Sequence, residues 1–158
     1  SISEKALKEI LFVNSDEPYA ETIARAIHKN CHKISTTKAL ADTVKGALTF
    51  IAPADSPGEI TTSIRRTFQA LRIEVNDEFS ALEQFLRNLP ICLKPNGRVA
   101  ILTFHSGEDN RVVKSFQEGL EAGIYSDICR EPIRPTPKEC FDNPRSKSAI
   151  LRWAICKK

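Results

Sequence analysis

The chain has 158 residues, 41% of them hydrophobic and 27% charged, with a formal net charge of +3. That balance fits one globular domain, or one with a small appendage, and excludes a disordered or low-complexity chain. No apolar run is long enough to span a bilayer and no signal-peptide core follows Ser1, so membrane partners are not expected. Five cysteines, at 31, 92, 129, 140 and 156, form no Cys-x-x-Cys pair. That spacing argues against a metal site or a disulfide framework and reads as buried thiols in a reducing compartment.

The first fifty residues read as three short helices. Ala6, Ile10 and Val13 recur at helical spacing, with Ser1 and Glu4 as a capping box. Asp16 is the expected cap of the second helix, which turns Ala20, Ile23, Ala24, Ile27 and Cys31 to one side. Ser35 is the expected cap of the third, facing inward through Leu40, Val44 and Leu48. Residues 49–60, with Pro53, Pro57 and Gly58, read as a loop and as the domain boundary. Beyond it one long helix is predicted from Thr61 to Asn88, with a stripe of Ile64, Phe68, Leu71, Val75, Phe79, Leu82 and Leu86, ended by Pro90. Val99–Phe104 is a nearly continuous apolar run, the pattern of a strand buried on both faces of a parallel sheet. A helix at 108–120, a strand at 124–128, a proline-rich loop at 132–144 and a last strand at 149–156, with Trp153 in its core, complete an α/β order.

Three groups of residues carry candidate chemistry. Arg65, Gln69, Arg72 and Asn76 are spaced four, three and four apart and share one helix face, where cations and amides can hold phosphates and base edges. An exposed helix surface making local pairs explains them equally. His105 and Ser106 follow the strand at 99–104, at the carboxyl end where α/β sheets open to ligands. Ser106 with Asp109 also matches an ordinary helix start, and Glu108 and Asp109 suit the helix dipole. Arg145, Ser146, Lys147 and Ser148 alternate cations and hydroxyls before the last strand, a pattern suited to phosphate contacts. Residues 130–158 hold eight Lys/Arg against three Asp/Glu, whereas the rest holds 15 against 17. A localised anionic partner such as RNA accounts for that asymmetry; so does a solvated tail.

No two of the six glycines form a Gly-x-Gly loop, so the phosphate-cradling turn of a nucleotide-type cofactor site is missing. Arg66–Glu78, read as Arg-Thr-Phe-Gln-Ala-Leu-Arg-Ile-x-Val-Asn-x-Glu, together with Leu93-Lys94-Pro95-x-Gly97-Arg98, Phe104-His105-Ser106, Pro132-Ile133-x-Pro135-Thr136 and Asn143-Pro144-Arg145-Ser146, resembles the MraW-type family of S-adenosylmethionine-dependent methyltransferases. Gly107 in place of the more usual leucine, and an extra residue at Asn110, depart from the pattern.

The resemblance implies methylation of the exocyclic N4 of a cytidine in small-subunit ribosomal RNA. It implies an α/β fold: the C-terminal half of a class I, Rossmann-like methyltransferase sheet at 61–158, preceded at 1–52 by part of a helical substrate-recognition module. Arg65, Arg66, Gln69, Arg72, Asn76, His105 and 145–148 would then form the RNA-facing wall. S-adenosylmethionine would bind the parent enzyme upstream of Ser1 and not this chain, which alone would be inactive. A missing N-terminal half, or a second copy of the chain, is the partner expected at the sheet, in the cytoplasm or in a mitochondrial or plastid matrix. The other readings are a non-catalytic rRNA-binding or ribosome-assembly factor and a protein-interaction module.

Overall fold

The structure, a computed structural model, describes residues 2–51 and 58–157 and divides into two compact units, Ser1–Glu78 and Phe79–Lys158. The first unit is helical: α1 (Glu4–Ser15), α2 (Ala20–Asn30) with a 3-10 turn at Cys31–Lys33, α3 (Thr37–Ala47) and α4 (Glu59–Asn76). Ser3 caps α1, its hydroxyl accepting from Ala6 N–H at 3.2 Å, while Ser1 lies outside the described residues. Asp16 closes α1 instead of opening α2, in a left-handed conformation (φ 50°) that Asp tolerates better than most residues. Thr36, not Ser35, caps α3. Leu7, Leu11, Ile23, Ala24, Val44, Leu48 and Ala70 form the core of this unit.

Because Ala70 belongs to that core, α4 packs with the preceding helices. The division therefore falls at 78/79 and not in the loop at 49–60, of which 52–57 lie outside the described residues. The buried row of α4 is Ser63, Thr67, Ala70 and Ile73; Ile64, Phe68 and Leu71 are half-buried and Val75 is 83% exposed. The apolar stripe is thus rotated from its expected position. Small side chains at the contact let α1 come close enough for Asn14 to donate to the Ala70 carbonyl at 3.2 Å. The long helix itself is two helices. Asp77 is left-handed (φ 49°) and ends α4, and α5 (Glu78–Cys92) carries Pro90 in its last turn, where only one backbone bond is forfeited.

The second unit holds β1 (Arg98–Thr103), α6 (Ser106–Glu121), β2 (Tyr125–Ile128), α7 (Pro137–Asp142), a 3-10 helix at Pro144–Ser148, and β3 (Ile150–Cys156). The loop expected at 132–144 thus contains α7, started by a capping box between Thr136 and Glu139. The sheet order is β1-β3-β2, and β3 is antiparallel to both neighbours. The parallel, doubly buried β1 expected from its apolar run is corrected in both respects. Thr103 pairs with Ile150, and exposure alternates so that Ala100 and Leu102 lie open, Leu102 at 52%.

Helices α5 and α6 cover one face of the sheet through Leu86, Leu89, Val112 and Phe116 packed on Tyr125, Ile128 and Ala154. Trp153 alternates with the buried Arg152 and Ala154, so it faces away from that core and is half-buried. Cys129 and Cys156 are buried, Cys140 is half-buried, and Cys31 and Cys92 are exposed, so the buried-thiol expectation fits only two of five. No helix among the described residues is long and apolar enough to cross a membrane.

Candidate nucleic-acid interface

On α4 the candidate residues divide into two kinds. Arg65 is exposed and Arg66 half-buried, and neither forms an ion pair among the described residues. Arg72 is committed to structure: its Nε and Nη2 donate to the two Glu78 oxygens at 2.8 and 2.9 Å. Asn76 donates to the same carboxylate at 3.1 Å, and Gln69 reaches the Asn14 carbonyl at 3.5 Å. Residues 72 and 78 meet because Asp77 folds the chain back, a contact that helical spacing alone does not provide. This bidentate fork is local to the end of α4, while Arg65 and Arg66 remain available to a ligand.

The turn after β1 presents a second group. His105, and not Ser106, is the N-cap of α6; its Nδ1 accepts from Glu108 N–H at 3.4 Å and its Nε2 lies 3.4 Å from Glu108 Oε1. Glu108 also accepts from Phe104 N–H at 2.8 Å, which closes the turn around the imidazole. The carboxylate nearest His105 is thus that of Glu108, placed by the first turn of α6, and its 3.4 Å approach to Nε2 is not a hydrogen bond. Ser106 is exposed at the start of that helix.

Asp109 does not act as a cap. It is buried beside Arg152, whose Nε and Nη2 donate to its two oxygens at 2.9 and 2.7 Å, and Thr103 lies 3.4 Å from the same carboxylate. These hydrogen bonds from Arg152 hold the Asp109 carboxyl below its ordinary value, against burial, which pushes it up. Arg152 also donates to the Arg130 carbonyl at 3.3 Å. The cluster thus ties the end of β1 and the start of α6 to β3, and so fixes where His105 stands. Its signal in the sequence is an arginine among Ile150, Ala154 and Cys156 on the inward side of a strand; its partner lies 43 residues away. Phe79 supports the turn from the other direction, with the Arg111 guanidinium 3.5 Å from its ring centroid and the His105 ring centroid at 6.1 Å.

Arg145, Ser146, Lys147 and Ser148 lie in the 3-10 helix at Pro144–Ser148, not in an extended lead-in to β3. With three residues per turn, Arg145 and Ser148 share a side while Lys147 points elsewhere, so the expected alternating platform is replaced by a tight cationic knob. The Asn143 side chain caps the knob by accepting from Arg145 N–H at 3.2 Å, and Ser146 Oγ donates to the Asn143 carbonyl at 2.8 Å. Arg145, Lys147 and Ser148 are exposed. The two sites at 105–106 and 145–148 belong to the second unit, and the α4 residues to the first.

The β1–α6 turn has no room for a nucleotide-type methyl donor. Gly107 is the only described glycine in a strand-to-helix turn, and its backbone lies against Phe79: a Cβ there would stand 2.7 Å from the ring edge. No cradle for a ribose or an adenine remains at that turn.

A family model described as the MraW methylase family matches residues 1–157. A protein of Agathobacter rectalis named ribosomal RNA small subunit methyltransferase H 1 is 47% identical over 158 residues, which is 98% of this chain and 45% of its own length. The ribosomal RNA small subunit methyltransferase H 2 of Alkaliphilus metalliredigens is 49% identical, again over 98% of this chain and 45% of its own length. The corresponding protein of Thermosipho melanesiensis is 42% identical over 96% of this chain and 50% of its own length. The chain spans about half the length of the curated relatives it matches.

Proposed function

The chain belongs to the MraW methylase family, and on that footing we propose that it is the RNA-facing C-terminal half of an S-adenosylmethionine-dependent enzyme that methylates N4 of a cytidine in small-subunit rRNA. The observation that carries this reading is the match over residues 1–157 to proteins named as small-subunit rRNA methyltransferases, each about twice as long. Two features of the fold support it. No strand pairs with the second edge of β1 among the described residues, and the sheet face of Ala100 and Leu102 is open, as expected of the end of a larger class I sheet.

In this reading Arg65 and Arg66 guide the RNA along α4, while Arg72 and Asn76, held by Glu78, and Gln69, turned to Asn14, shape that face, and Arg145, Ser146, Lys147 and Ser148 take a phosphate. His105 and Ser106 stand by the target base, with His105 able to accept or donate a proton. The chain alone performs no methyl transfer. The second reading is a non-catalytic rRNA-binding factor, which the calorimetry below separates from the first.

Calorimetry tests both halves of the reading with the chain as it is. S-adenosylmethionine should give no measurable heat of binding, whereas a small-subunit rRNA fragment should bind with an affinity that falls linearly against log salt. Replacing Arg145 and Lys147 by Ala should flatten that slope by roughly one unit for each phosphate no longer neutralised. Micromolar binding of the methyl donor would refute the missing site, and an unchanged slope would remove 145–148 from the interface. The free edge of β1 should also recruit a second copy or the N-terminal half. A monomer in sedimentation equilibrium at tens of micromolar would contradict self-association.

A further inference from the structure

Helix α7 has no buried residue, and neither has the 3-10 helix that follows it. Its shape is nonetheless closely specified. Pro137 occupies its first turn, and a reciprocal capping box closes its start: Glu139 N–H donates to Thr136 Oγ1 at 3.2 Å and Thr136 N–H donates to Glu139 Oε2 at 2.8 Å. Asn143 ends α7 by donating its N–H to the Glu139 carbonyl at 2.8 Å, and its side chain caps the 3-10 helix. The two short helices therefore share one capping residue, and they pack on each other. A six-residue helix that buries nothing adds nothing to a core, so packing does not explain why this one is fixed.

Phe141 lies on α7 and is 85% exposed, more than any other aromatic side chain among the described residues. Phe50, the next most exposed, has Tyr19 edge-on with ring centroids 5.8 Å apart, whereas Phe141 has no ring contact among the described residues. A phenyl ring held in water forfeits the gain of its burial, which a flat partner laid over it restores. The adjoining charges suit an anionic partner. Arg145 and Lys147 are exposed and form no ion pair among the described residues. Glu139 is engaged by Thr136, which leaves Asp142 as the other carboxylate between positions 137 and 148, against Lys138, Arg145 and Lys147.

We infer that Phe141 is a stacking platform for an unpaired base of the RNA, set beside the cationic knob that takes a phosphate of the same strand. The inference rests on the RNA reading above and adds to it a base contact that the phosphate-binding residues do not supply. An aromatic face next to backbone-holding cations suits a single strand, because every base offers a π-face and every nucleotide a phosphate. The ring reads no hydrogen-bond pattern, but it requires a base that is unpaired and splayed from its neighbours. It thus selects a loop, bulge or end over a duplex. Stacking displaces no counterions, so the contributions of Phe141 and of the knob separate in their dependence on salt.

Fluorescence anisotropy of a labelled single-stranded small-subunit rRNA fragment, titrated with the whole chain from low to high salt, reads the platform. Phe141→Ala should weaken binding roughly five- to a hundredfold at every salt concentration and leave the log–log slope unchanged. Phe141→Leu keeps an apolar side chain without a π-face and should lose most of the same affinity, whereas Phe141→Trp should bind at least as tightly as the wild type. Wild-type affinity in Phe141→Ala or Phe141→Leu, with Arg145→Ala/Lys147→Ala still impaired, overturns the platform and leaves the RNA reading standing. A flattened slope in Phe141→Ala also overturns it, because the loss would then come from a disturbed knob. So does an equal loss on a fully paired duplex, where no base is free to stack. No RNA binding by the wild type overturns both this inference and the RNA reading.

Discussion

Among the described residues each unit buries one carboxylate, and the two are held by opposite means. In the helical unit Glu17 has no exposure and no ion pair among the described residues; its Oε1 accepts from Tyr19 N–H at 3.0 Å and from Ser63 Oγ at 2.9 Å, and its Oε2 has no donor there. In the sheet unit Asp109 receives both forks of a guanidinium that is itself buried. A carboxyl held by neutral donors depends on a few weak bonds that can be removed one at a time. A carboxylate held by a cation cannot lose its partner without stranding a charge out of water. The comparison separates a local joint, between α1, α2 and α4, from a clamp that joins three elements of the sheet unit.

Breaking the clamp should have the largest effect. Arg152→Met leaves Asp109 buried and unpaired and should cost about 3–5 kcal/mol of unfolding free energy, read by urea denaturation. A loss under about 1 kcal/mol would mean that water already reaches the carboxylate. Ser63→Ala removes one of the two donors to Glu17 and should cost about 1–2 kcal/mol. A cost matching that of Arg152→Met would erase the distinction between the two sites.

Acid sharpens the same comparison with the smallest effect. The Asp109 carboxyl is held below its ordinary value of 3.8, so its contribution is fully present above that pH and fades as pH falls through the folded value. The stability gap between wild type and Asp109→Asn should therefore narrow below about pH 4, as followed by urea midpoints at successive pH values. A gap constant from about pH 6 to about pH 3 would show that Arg152 does not favour the ionised form.

Much of the fold is legible in the sequence. All three strands lie within a residue or two of their expected spans, because short apolar runs bounded by turn residues have few alternatives. The break at Asp77 is invisible there, since apolar residues continue at helical spacing through it and an Asp in a left-handed conformation leaves no distinctive pattern. The pairing direction of β1 is equally hidden, because an apolar run records burial and not the direction of its neighbour. Of the candidate site, the exposed cations Arg65, Arg145 and Lys147 stand as their charge suggests. Arg72 and Asn76 are instead bound to Glu78, a partner reached only through the turn between α4 and α5.

The contact between Gly107 and Phe79 has a consequence for how this sequence can change. The space beside the β1–α6 turn admits one bulky side chain, and here position 79 supplies it. A leucine introduced at 107 would press on a ring already covered by Arg111, so neither residue can exchange size without the other. Positions 79 and 107 therefore behave as a single unit of variation. Substitutions there should appear as compensating pairs, and a library that randomises only one of them should return mostly the parent residue.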